Sequence, residues 1–86
     1  MNKPCVRVLL EQLAVLETWC NKYKEQHPQN HGTYSASPIR ELYKPLRDGV
    51  VFYSSGHGWM LRKNWQESIR TKRAELEDEA LKGGEA

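Results

Sequence analysis

From Val6 onward, apolar residues recur at helical spacing. Val6, Leu9, Leu10, Leu13, Leu16, Cys20 and Tyr23 fall on one stripe of a helix that runs to about Gln26. Val8, Val15 and Trp19 add a second apolar strip, which predicts a helix covered on more than one side. Pro28 closes the helix, because the residue before a proline avoids the helical region. The segment from Pro28 to Ser35 has no periodicity and reads as a long loop.

A second helix is predicted to begin at Ser37. That serine suits the N-cap, Pro38 the first helical position, and Glu41 the positive end of the dipole. Ile39, Leu42, Tyr43 and Leu46 would form its inner face. Pro45 lacks a backbone donor and should end or bend the helix near Tyr43 or Lys44. Asp48-Gly49 then turns the chain. Val50-Val51-Phe52-Tyr53 has the β-branched and aromatic content of a strand, with Trp59-Met60-Leu61 as its partner. Gly56 and Gly58 in the connecting tip would accept positive φ. Asn64 followed by Glu67 resembles a capping box, and opens a third helix marked by Trp65, Ile69, Leu76 and Ala80. Gly83-Gly84 stops it. The expected architecture is α+β, in the order helix, loop, helix, strand, strand, helix. Residues 1–82 form a single winged-helix-like domain in this reading, and 83–86 a disordered tail.

The net charge of +2 conceals an asymmetry. Residues 1–73 carry twelve Lys and Arg against six Asp and Glu, a net of +6, whereas residues 74–86 carry one Lys against five acids, a net of −4. A basic body with an acidic tail fits a polyanionic partner, because phosphate contacts scale with local charge; the plain alternative is a mixed, solvated surface. The run Val8-Leu9-Leu10 is cut by Glu11 and Gln12, so neither a secretory signal nor a membrane partner is expected. Two cysteines are too few for a disulfide framework, which points to a reduced, cytoplasmic setting.

Cys5, Cys20, His27 and His31 superficially suggest a zinc set. Fifteen mostly helical residues would separate the two thiols by roughly 22 Å, too far for one tetrahedral ion. No histidine has an evident carboxylate partner, and no glycine-rich phosphate loop occurs. Neither an enzyme nor a cofactor is expected.

Leu16-Glu17-Thr18-Trp19, a connecting loop, Ser37-Pro38-Ile39-Arg40-Glu41-Leu42-Tyr43 and then Arg47-Asp48-Gly49-Val50 resemble the small phage excisionases. These are recombination directionality factors related to the winged-helix half of mercury-resistance-type regulators. The similarity covers about residues 14 to 66, with Gly58-Trp59-Met60-Leu61 as the second wing strand. It implies a duplex-DNA-binding protein acting in recombination directionality or transcription regulation. Arg40 and Lys44 would share one outward helix face in the major groove, and Arg47 would meet a phosphate. Ser54, Ser55 and His57 at the wing tip and Arg62 and Lys63 at its base would lie against the sugar–phosphate wall. Such a small domain would need self-association on DNA, a recombinase or a host protein for specificity. The family's wing usually has prolines before a basic tip, and its recognition helix usually lacks a proline where Pro45 sits.

Each feature also has a plainer explanation. Arg40 and Lys44 fit a solvated face, Ser54 to Gly58 a hairpin loop, and Trp19, Trp59 and Trp65 a shared core cluster rather than a base-stacking platform. Lys72 and Arg73 fit either phosphate contacts or exposed ion pairs with Glu77. A competing function is a small phage-type inhibitor or adaptor that blocks a host nuclease or defence complex, with aromatics and arginines as anchors.

Overall fold

The computed structural model describes residues 3–26 and 37–83. The expected loop from Pro28 to Ser35, His27, His31 and residues 84–86 lie outside the described residues. The elements are α1 (Val6–Gln26), α2 (Ser37–Arg40), α3 (Lys44–Arg47), β1 (Val51–Ser54), β2 (Gly58–Leu61) and α4 (Trp65–Gly83). This is a small α+β fold, in the order of a winged-helix-like domain.

The stripe on α1 organises the core. Val6, Leu9, Leu13, Leu16, Cys20 and Tyr23 are buried, at alternating steps of three and four residues that keep one helix face inward. Leu10 and Trp19 flank that stripe, partly buried. The helix packs principally against α4, which contributes Trp65, Ile69 and Leu76. Arg73 would interrupt the inward face of α4, but Glu17 on α1 takes its Nη2 at 2.5 Å across the helix pair. Lys72 pairs with Glu75 at 3.3 Å. These partners replace the expected pairing of both cations with Glu77.

The single helix expected from Ser37 to about Lys44 is instead two single turns, α2 and α3. A proline within a continuous helix would leave the carbonyl one turn before it unpaired. The chain avoids that arrangement by leaving the helical region at Tyr43 (φ −59°, ψ 122°) and restarting, so that Pro45 falls where no helical N–H is needed. The amide freed by this break is satisfied from outside: the Tyr43 N–H donates to Gln12 Oε1 on α1 at 2.8 Å. Ile39, Leu42 and Leu46 remain buried, so the inner face survives the break.

The hairpin pairs Val51 with Leu61, Phe52 with Met60, Tyr53 with Trp59 and Ser54 with Gly58. Gly56 and Gly58 both adopt positive φ, as their place in the tip predicts. The His57 N–H closes the turn onto the Ser54 carbonyl at 3.0 Å. The Arg62 N–H extends the ladder to the Val50 carbonyl at 2.9 Å. Val51, Trp59 and Leu61 point into the core, and all three tryptophans belong to it or pack against it. Asn64 starts α4 by accepting the Ser68 N–H at 3.0 Å.

Burial pushes the Cys20 thiol up to about 12, with Glu17 adding to the effect. The thiolate is the reactive form, so folded protein treated with iodoacetamide at mildly alkaline pH is predicted to be alkylated at Cys5 alone. Cys20 should react only after unfolding. Equal labelling of both thiols in the folded protein would contradict its burial.

Candidate nucleic-acid interface

Asp48, at the end of α3, gathers the basic residues of the middle segment. Lys44 Nζ lies 2.7 Å from its Oδ2, and Arg47 Nε lies 3.6 Å from its Oδ1. Arg62, arriving from the end of β2, donates from Nε to the Asp48 carbonyl at 2.6 Å. The hydrogen bond from Lys44 holds the Asp48 carboxyl below its ordinary range, with both neighbouring cations reinforcing it. Lys63 follows Arg62 and is exposed. The fold thus brings Lys44, Arg47 and Arg62 around one aspartate at the foot of the hairpin, with Arg40 joined to them through Arg47.

Arg40 and Lys44 do not share a helix face, which corrects the expectation of a common major-groove surface. They stand on separate turns with the Glu41–Tyr43 break between them. Neither turn is long enough to enter a groove as a recognition helix.

Arg47 is built into the fold. Its side chain is 17% exposed, and Nη1 donates to the Ile39 carbonyl at 3.2 Å and the Arg40 carbonyl at 2.9 Å. These carbonyls end α2; the Ile39 carbonyl also accepts the Leu42 N–H at 3.1 Å. The guanidinium also lies over the Trp59 ring, 5.2 Å from its centroid. Its buried Nε has no hydrogen-bond partner, only the Asp48 carboxylate at the longer distance. Arg47 therefore ties α2, α3 and the hairpin together, a role its place just past a helix did not disclose. Arg62 lies over Phe52, 5.4 Å from the ring centroid, on the opposite face of the hairpin.

Ser54, Ser55 and His57 occupy the far end of the hairpin, roughly 10 Å from its foot at the usual strand rise. Ser54 Oγ and His57 Nδ1 are 3.5 Å apart, and Ser55 and His57 are exposed. The predicted site residues therefore form two groups, a basic one on α2, α3 and the end of β2 at the foot of the ribbon, and a polar one at its tip.

One residue of this surface was not anticipated. Tyr53 is 57% exposed although it shares a strand face with buried Val51. Its ring makes an edge-to-face contact with Trp59, with centroids 5.6 Å apart and planes at 73°. Two-residue alternation predicts burial there, but only its cross-strand partner Trp59 is covered by the core, and Tyr53 lies at the margin beside it.

No described helix is long and apolar enough to cross a membrane. Among the described residues, no group of three or more His, Cys, Asp or Glu side chains is disposed to hold a metal ion. Comparison with family models, with curated proteins and with solved structures gave no match.

Proposed function

We propose that this chain binds duplex DNA, laying the foot of the hairpin against the phosphate backbone and its polar tip along the adjoining groove wall. The observation that carries this reading is the gathering of Lys44 and Arg62 about Asp48 at the foot of the two-stranded ribbon, braced from within by Arg47, with exposed Lys63 next in the chain and exposed Arg40 at the end of α2. Cations at such a foot would meet phosphates and release condensed counterions. With the helical segment broken at Tyr43, the reading is an architectural one: backbone contacts and groove shape, rather than base edges, set the affinity. A role in recombination directionality or transcription regulation, as the excisionase resemblance implies, belongs to the same proposal.

The test is duplex binding by fluorescence anisotropy over a range of salt concentrations. Arg40 and Lys63 are exposed, so their removal leaves the core intact. The double variant Arg40→Ala/Lys63→Ala is predicted to reduce the steepness of log K against log salt by about 2, near 0.9 for each lost phosphate contact. An unchanged slope, or no binding of any duplex at low salt, refutes the reading.

A second reading, an inhibitor or adaptor that binds a host protein, rests on the outer side of α1. There Ala14, Val15, Thr18, Trp19 and Lys22 line an open apolar depression of about 420 Å³, with Val15 44% exposed. Absence of duplex binding together with stable co-purification of a single protein at moderate salt would favour it.

A further inference from the structure

The geometry points to a stacking site for an unpaired nucleobase on the ring of Tyr53, an inference that rests on the nucleic-acid reading and names a more particular ligand for the same ribbon. Tyr53 is 57% exposed, and its ring makes an edge-to-face contact with Trp59 on one side. Trp59 is itself 9% exposed and is clamped by the Arg47 guanidinium at 5.2 Å. A tyrosine so exposed contributes little to the core, and the neighbouring indole narrows the positions its ring can take. The result is a flat aromatic surface that would lose less freedom on meeting a ligand than an isolated side chain.

The surroundings supply the other half of a nucleotide's chemistry. Arg62 and Lys63, exposed and three and four residues past Tyr53's partner Trp59, supply cations roughly 10 Å along the same ribbon. Cations beside an aromatic ring match a base with its attached phosphates. Tyr53 also lies immediately before the Ser54–Gly58 turn, where small and polar residues let a strand approach closely.

A paired duplex does not offer this ring a partner. Base faces within a double helix are stacked on one another, and a side chain reaches them only where a base is unpaired or extruded. The ligand class is therefore a strand with exposed bases: single-stranded DNA, single-stranded RNA, or a gap or bulge within a duplex. Recognition by stacking tolerates any base, so little sequence preference is expected.

The test compares wild type, Tyr53→Ala and Tyr53→Phe for binding to a short oligothymidylate, a short oligouridylate and a fully paired duplex at low salt. Tyr53→Ala is expected to weaken binding of at least one single strand by about fivefold or more, the effect of losing one stacked base. Tyr53→Phe keeps the ring and should keep the affinity. Duplex affinity should change far less than single-strand affinity. The single strand that is bound more tightly identifies DNA or RNA as the source of the base. If wild type binds duplex with steep salt dependence but Tyr53→Ala leaves single-strand binding unchanged, the stacking site is refuted and duplex binding stands. Equal weakening of single strand and duplex by Tyr53→Ala also refutes it. Wild type binding neither refutes both.

Discussion

Leu13→Ala is expected to lower the unfolding free energy by about 2–5 kcal/mol, the range for removing a buried leucine side chain from a packed core. Leu13 has no exposed surface and sits midway along the inward stripe of α1, the helix against which α2, α3 and α4 all pack. The cavity would therefore open where several elements meet and where collapse of one neighbour cannot fill it. Small domains have a total stability of roughly 5–15 kcal/mol, so the variant should melt at much lower temperature or fail to fold cooperatively. Val15→Ala is the matched control. It lies two residues further along the same helix, 44% exposed, and should change stability by no more than about 0.5 kcal/mol. Urea titration followed by tryptophan fluorescence distinguishes the two. Similar midpoints for both variants would mean that the stripe does not form the core.

Arg47→Ala is expected to destabilise the fold by about 2–3 kcal/mol, because a charged hydrogen bond is worth roughly 1.5–3 kcal/mol and the Arg40 carbonyl would lose its donor. The Ile39 carbonyl would keep the Leu42 N–H, and Trp59 would lose the cation against its face. Arg47→Lys should recover only part of the loss. A single ammonium cannot bridge two carbonyls and spread over an indole as a planar guanidinium does. Thermal unfolding is the deciding measurement, made alongside duplex binding. Full stability with weakened DNA binding would make Arg47 a phosphate contact instead of a brace.

Much of the architecture can be read from local pattern. The three-and-four spacing of α1 is unambiguous because its burial depends on a single periodicity. The hairpin is equally legible, since its strand content and two positive-φ glycines are properties of short segments. Pro45 signals an interruption near Tyr43, although not that α2 would end at Arg40 and the chain restart as a second turn. That restart depends on Gln12, whose carbonyl oxygen comes from a helix more than thirty residues away. The same limit applies to the candidate site. The basic residues are visible as types, but the inward turn of Arg47 and the pairing of Arg73 with Glu17 arise from non-local contacts. Tyr53 escapes notice for a related reason: alternation gives the face of a strand, and only the tertiary fold shows that Trp59 on that face is covered while Tyr53 beside it is not.

Asp48 gives the basic foot an internal rival for any incoming anion. Its carboxylate is tethered, so it competes with a phosphate at a high effective concentration. Lys44 must release this attached counter-charge before it can engage a polymer, whereas Lys63 exchanges only mobile ions. On the duplex-binding proposal, the foot would resist indiscriminate adhesion, and lasting attachment would need ligands that engage several cations together.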